Sequence, residues 1–127
     1  MKQHRLPEAE FSVMKEIWQA DAPVTSAEIM KRIGGVRSWK PQTLLTLLSR
    51  LTERGFLEAR PGQGREKLFV PIISREEYLT QETSAFMDEV HGRSIGSLLA
   101  ALNHEKLSQK DMDDLQAWFD RLKKEGV

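Results

Sequence analysis

One segment near the middle of the chain, residues 41–73, constrains the fold more than any other. Pro41 suits the first turn of a helix, and no further proline or glycine occurs before Gly55. The sequence therefore predicts a helix that starts at Pro41, continues without a breaker over residues 43–54 and ends at this glycine. Its core-facing side is marked by leucines at helical spacing: Leu44, Leu47, Leu48 and Leu51. The opposite side is polar and is free to contact another molecule.

The residues that follow this helix predict a β-hairpin. Two short runs of strand-like composition, 56–60 and 67–73, flank the turn sequence Pro-Gly-Gln-Gly at residues 61–64. Arg60, Arg65 and Lys67 lie at or beside this turn. We therefore predict a hairpin with a basic, glycine-rich tip.

Two further helices precede this segment. Pro7 and a run of apolar residues at helical spacing predict a helix over residues 8–20. Thr25 and Glu28 match a capping box, which predicts a second helix over residues 26–33, ended by the glycines at 34 and 35. Val24, between the two helices, is expected to form a very short strand. Helix, short strand, helix, helix and hairpin are the elements of a winged helix-turn-helix domain.

Three more helices are predicted after the hairpin. Ser74 and Glu77 form another capping box, and the helix that they open is expected to end at Gly92. A short apolar helix follows over residues 94–102, and Ser108 is the predicted N-cap of the last helix. The predicted fold class is mainly α with a small β-hairpin: a winged helix-turn-helix domain at residues 1–74, then a helical dimerisation region at residues 75–127.

Charge is divided between these two regions. The chain has a formal net charge of zero, but residues 1–74 carry twelve basic and eight acidic side chains, a net charge of +4. Residues 75–127 carry −4. A basic first half suits contact with a polyanion, and an acidic second half suits a different task. Chance is the alternative explanation, because the asymmetry is modest.

Composition excludes several classes of function. The absence of cysteine rules out disulfides, thiolate zinc sites, iron–sulfur clusters and cysteine nucleophiles. His4, His91 and His104 are scattered, so we expect no enzyme, no metal site and no cofactor. A membrane helix needs about 20 apolar residues, and no run approaches that length. With no apolar signal core at the N-terminus, a cytoplasmic protein without membrane insertion is expected.

The polar face of the predicted 43–54 helix favours a role in reading double-stranded DNA, because a winged helix places this helix in the major groove. Its hydroxyl, amide and guanidinium groups match the donors and acceptors of base edges, and nearby basic residues suit phosphates. The predicted DNA-binding residues are Arg37, Lys40, Gln42, Thr43, Thr46, Arg50, Arg65 and Lys67. The alternative is a winged-helix module that binds only other proteins.

The amphipathic helices after residue 74 are predicted to form a homodimer, since one winged domain reads about four base pairs, too few for a specific site in a genome. Two copies would read a palindrome. The predicted dimerisation residues are Tyr78, Phe86, Val90, Leu98, Leu102, Leu115, Trp118, Phe119 and Leu122. The alternative is that these side chains form a local core.

Four parts of the sequence resemble the BlaI/MecI/CopY family of penicillinase-type repressors: residues 39–51 with 55–57, residues 6–14 with 17 and 18, residues 74–79 and residues 107–115. The resemblance implies a homodimeric winged-helix repressor that binds a palindromic operator. It also implies that this chain contacts DNA through the residues at the matching family positions: Lys40, Thr43, Thr46 and Arg50.

The sequence departs from the family at several positions. Gln42 stands where some relatives have lysine, and Leu45 where staphylococcal-type members have arginine, which implies a different operator. The copper-responsive branch senses metal through C-terminal cysteines, which are absent here. The β-lactam branch is released when a membrane sensor-protease cleaves the C-terminal helices. The matching stretch near Ala101 and Leu102 lacks the Asn-Phe pair, so release by proteolysis and control of β-lactam-resistance-like or stress genes are hypotheses.

Overall fold

The computed structural model describes residues 5–34, 37–103 and 105–126. The six helices and two strands of this part follow in the order α1 (Glu8–Gln19), α2 (Ser26–Ile33), α3 (Pro41–Glu53), β1 (Leu57–Pro61), β2 (Lys67–Pro71), α4 (Arg75–Glu89), α5 (Ile95–Leu102) and α6 (Gln109–Lys124). The predicted element order is confirmed. His4 and His104, and the glycine at 35 that was expected to end α2, lie outside the described residues.

Local signals in the sequence set both ends of α3. Pro41 occupies the first turn, where a missing N–H costs nothing. Gly55 has φ +84°, in the left-handed region that glycine adopts without strain. Its N–H donates to the Thr52 carbonyl (3.1 Å), and the Phe56 N–H donates to the Leu51 carbonyl (2.9 Å). This pair of hydrogen bonds is a Schellman motif, so the predicted end of the helix is confirmed.

The hairpin is a two-stranded antiparallel sheet with Leu57 opposite Pro71 and Pro61 opposite Lys67. It ends at Pro71, two residues earlier than the predicted strand. Val24 adds an isolated bridge to Phe69, with reciprocal backbone hydrogen bonds of 3.2 and 2.8 Å. The very short strand predicted at Val24 is therefore present, and it fastens the chain before α2 to the hairpin.

The chain divides into two compact units, residues 1–85 and 86–127. A buried apolar core lies in the first unit, where α1, α2, α3 and the hairpin supply interdigitating side chains. Its fully buried large members are Val13, Met14, Ile17, Ile29, Leu44, Leu48, Leu51, Phe56 and Leu57. The core fixes the helices at the spacing that presents α3.

Tyr78 belongs to this core, which corrects its predicted place at a dimer surface. Its side chain is buried, and its hydroxyl accepts a hydrogen bond from the Leu6 N–H at 2.8 Å. Its ring lies 5.8 Å from the rings of Phe11, Trp18 and Phe56. The physical reason is that the first turns of α4 pack onto α1, so the compact unit extends beyond the predicted boundary near Ser74.

The second unit contains the end of α4, then α5 and α6. Ser94 caps α5, and Ser108 forms a complete capping box with Asp111 at the start of α6. None of the described residues from 86 onward is buried. No helix in the described ranges is long and apolar enough to cross a membrane.

Candidate nucleic-acid interface

Helix α3 has one buried face and one exposed face. Its four core leucines are at most 6% exposed, which anchors the helix along its whole length. The exposed face carries Gln42, Thr43, Leu45, Thr46, Ser49 and Arg50. The predicted reading residues are thus brought together on one surface that no described part of the first unit covers.

The N-terminal end of α3 is arranged to favour an anion. Lys40, the N-cap residue, is extended and exposed, and no side-chain hydrogen bond caps this end of the helix in the described structure. The positive end of the helix dipole and the Lys40 ammonium therefore act in the same direction.

Arg37 is held differently from the other predicted contacts. Its guanidinium donates to Ser12 Oγ at 2.7 Å, forms an ion pair with Glu8 and lies 5.1 Å from the centre of the Trp39 ring. Its backbone N–H donates to the Ile33 carbonyl at 2.8 Å. The side chain therefore ties the segment before α3 to α1, and its charge is already balanced by a carboxylate.

The hydroxyl of Thr46, a predicted DNA contact, already donates a hydrogen bond within the helix. It donates to the Gln42 carbonyl at 3.1 Å, one helical turn earlier. While this hydrogen bond persists, Thr46 offers a base an acceptor oxygen and a methyl group but no donor. Thr43 and Gln42 remain exposed on the same face.

The hairpin presents two further cations. Arg65 and Lys67 are exposed, and neither forms an ion pair with any described residue, whereas Arg60 is paired with Glu58. The tip is closed by a hydrogen bond from the Gly62 N–H to the Glu66 carbonyl (2.9 Å), and Gly64 has φ +61°. Side chains near this tight turn are therefore held at the edge of the domain.

Four of the predicted cations are thus available to a polyanion. Lys40, Arg50, Arg65 and Lys67 are all exposed and form no ion pair within the described ranges.

Leu45 was not among the predicted contacts, although it shares the exposed face. Its position, three residues after Gln42 and four before Ser49, is the signal that places it there.

The remaining predicted dimerisation residues lie in the second unit. Val90, Leu115, Trp118 and Phe119 are 39–59% exposed. Phe86, Leu98, Leu102 and Leu122 are half-buried. Further exposed apolar side chains, which sequence reasoning left out, are Ile95, Leu99, Leu107 and Met112.

Among the described residues, no group of three or more His, Asp or Glu side chains is placed to hold a metal ion.

A buried three-helix core, an appended hairpin and an exposed basic helix face define a winged helix-turn-helix protein. The solved DNA-binding domain of the repressor BlaI has this fold, with a TM-score of 0.53 and 31% identity over 61% of this chain and 92% of that domain. The family model of the penicillinase repressor matches residues 6–121, so the chain belongs to the penicillinase repressor family.

Individual relatives agree with this assignment. The penicillinase repressor of Bacillus licheniformis is 27% identical over 87% of this chain and 86% of its own length. The methicillin resistance regulatory protein MecI of Mammaliicoccus sciuri is 26% identical over 91% of this chain and 93% of its own. The Bacillus licheniformis BlaI monomer has also been solved in complex with the blaP half-operator, with a TM-score of 0.51 to this chain and 31% identity over 61% of it.

Proposed function

We propose that this protein is a transcriptional repressor that binds a palindromic operator as a homodimer. The observation that carries the proposal is the exposed face of α3, where hydrogen-bonding side chains lie next to cations that no described carboxylate neutralises. A relative of the same family binds a half-operator. The winged-helix part lays α3 in the major groove, and the hairpin contacts the neighbouring backbone.

Each exposed cation has a proposed role in this complex. Lys40, at the positive end of α3, neutralises a phosphate, and Arg65 and Lys67 do so from the hairpin. Gln42, Thr43 and Arg50 read base edges. Affinity then depends mainly on counterion release and falls steeply as salt rises.

The second unit supplies the dimer contact. It has no buried described side chain of its own, and eight large apolar side chains are exposed in it. So much exposed apolar surface in a unit without a core favours a second copy as its cover. Pairing places two α3 helices on one DNA molecule, one or more helical turns apart.

The proposal is tested by selecting bound sequences from a random DNA library at roughly physiological salt, where non-specific binding is weak. We expect enrichment of a palindrome. Arg50→Ala, if Arg50 reads a base edge, should cost about 1–3 kcal/mol on that site and relax the preference at one position. Binding that shows no preference and vanishes as salt rises would contradict the proposal and favour a protein-binding winged helix.

We also propose that cleavage of the C-terminal helices by a protease releases the protein from the operator. Ala101 is exposed at the end of α5, and Leu102 is half-buried beside it. Incubation of the protein with a membrane sensor-protease domain should produce a cut between Ser97 and Glu105. An intact chain after incubation would remove proteolysis from the mechanism and leave DNA binding unaffected.

A further inference from the structure

Leu45 is an apolar side chain on a polar surface. The other four leucines of α3 are at most 6% exposed, whereas Leu45 is 45% exposed. Among the described residues of α1, α2 and α3, it is the one large hydrophobic side chain classed as exposed. It is not part of the core cluster, so its exposed part is available to a molecule that approaches this face of α3.

Two neighbours of Leu45 on α3, Gln42 and Thr46, are among the predicted DNA contacts, and a third neighbour, Ser49, is not. Leu45 lies three residues after Gln42 and four before Ser49, which places the three side chains along one edge of the exposed face. Thr46, next in sequence, has its hydroxyl proton engaged by the Gln42 carbonyl. Leu45 and the Thr46 methyl group are therefore two apolar groups on a face whose other side chains form hydrogen bonds.

The major groove offers one apolar group on a base edge, the C5-methyl of thymine. We propose that Leu45 packs against the C5-methyl of a thymine in each half of the operator and thereby determines the base at that position. This inference rests on the proposed DNA-binding function. Leucine has no donor or acceptor, so it discriminates by burying a methyl group rather than by hydrogen bonding.

The test replaces each thymine of one half-site with deoxyuridine, which removes the C5-methyl and leaves every hydrogen-bonding group in place. Burying one methyl group contributes about 0.8 kcal/mol, so wild-type affinity should fall about fourfold at one thymine position. In Leu45→Ala that position should lose its sensitivity to deoxyuridine, and the unfolding midpoint should be unchanged.

Two variants serve as controls on the same surface. Ser49→Ala, one turn further along, should retain the full sensitivity of the wild type. Thr46→Ser removes the other methyl group, so any sensitivity that it abolishes should occur at a different thymine. Leu45→Ala should also relax base preference at its own position when sequences are selected again.

The outcomes separate this inference from the function on which it rests. A specific palindrome with no deoxyuridine-sensitive position would overturn the role of Leu45 and leave the repressor function standing. The same holds if Leu45→Ala keeps the wild-type sensitivity. A selection that enriches no site would contradict the proposed function itself, and the role of Leu45 with it.

Discussion

Arg37 is a predicted DNA contact whose guanidinium already has partners within the protein. Because Glu8 already balances its charge, its contribution should be to hold the segment before α3 against α1. We predict that Arg37→Ala weakens operator binding but leaves the slope of log affinity against log salt unchanged. Lys40→Ala, which removes an unpaired cation, should reduce that slope by about one. Titrations at several salt concentrations measure both.

If Arg37→Ala reduces the slope of log affinity against log salt as much as Lys40→Ala does, Arg37 contacts a phosphate, as the sequence predicts. That prediction followed from local position, since Arg37 is basic and lies just before α3. Its actual partners are 25 and 29 residues away in the chain. Composition and spacing do not encode such tertiary partners.

Glu10 is the buried charged residue of the first unit. It is 2% exposed, its Oε1 lies 3.5 Å from Arg54 Nη1, and this oxygen accepts no hydrogen bond in the described structure. Arg54→Ala would leave the carboxylate without its partner, so we expect a loss of about 1–3 kcal/mol in the free energy of unfolding. Arg54 is half-exposed, which keeps the loss below that of a fully buried pair.

Urea unfolding compares Arg54→Ala with Arg32→Ala. Arg32 is an exposed arginine in the last turn of α2, and its removal should change stability by less than about 0.5 kcal/mol. Equal effects of the two substitutions would show that the Glu10–Arg54 pair contributes nothing to stability.

At the scale of the element, we expect the start of α4 to depend on pH through Glu77. Hydrogen bonds from the Ser74 backbone N–H and hydroxyl hold the pKa of Glu77 below its ordinary value. A carboxyl with a lowered pKa in the folded state stabilises the protein above the ordinary glutamate pKa, and that contribution is lost as pH falls through the lowered value. We therefore predict that part of the stability lost below roughly pH 4 comes from this cap.

Glu77→Gln tests this prediction, because glutamine does not titrate. The variant should be less stable than the wild type at neutral pH, and the difference should shrink as the pH falls below 4. Glu76→Gln, one residue earlier on the exposed surface, is the matched control. If the difference in stability between the wild type and Glu77→Gln is constant with pH, the Glu77 cap does not contribute to the loss of stability in acid.

The elements of this fold were largely predictable, and the reason is that their signals are local. The Thr25, Ser74 and Ser108 caps, Pro41 and Gly55 each act within a few residues. Tyr78 was placed wrongly because helical periodicity identifies an apolar face without identifying its partner. The Tyr78 hydroxyl accepts a hydrogen bond from the backbone N–H of Leu6, which is 72 residues away in the chain.

At the scale of the whole molecule, the two units differ in what stabilises them. The first has a closed core that includes every buried apolar side chain among the described residues, and the second has exposed apolar helices. In the proposed homodimer the second unit gains its stability from association, so we predict that the unfolding temperature rises with protein concentration. The acidic charge of residues 75–127 would also keep this surface from competing for DNA.

The proposed dimer can be disrupted on the face of α6 that carries Met112, Leu115 and Phe119. An aspartate at Leu115 would place an unpaired charge among apolar groups, which costs several kcal/mol when it is buried in an interface. We predict that Leu115→Asp is monomeric by sedimentation velocity at concentrations where the wild type is dimeric. Its affinity for the full palindrome should fall while its weaker affinity for a single half-site persists, because α3 is anchored by the first unit's own core.

Ala117→Asp adds the same charge to the same helix, on the side opposite Leu115, and it should remain dimeric and bind the palindrome as the wild type does. A dimeric Leu115→Asp would exclude this face from the interface, and a wild type that is monomeric at every concentration would exclude the homodimer. If both aspartate variants weaken palindrome binding equally, the acidic charge itself repels DNA, and the second unit acts by electrostatics rather than by pairing.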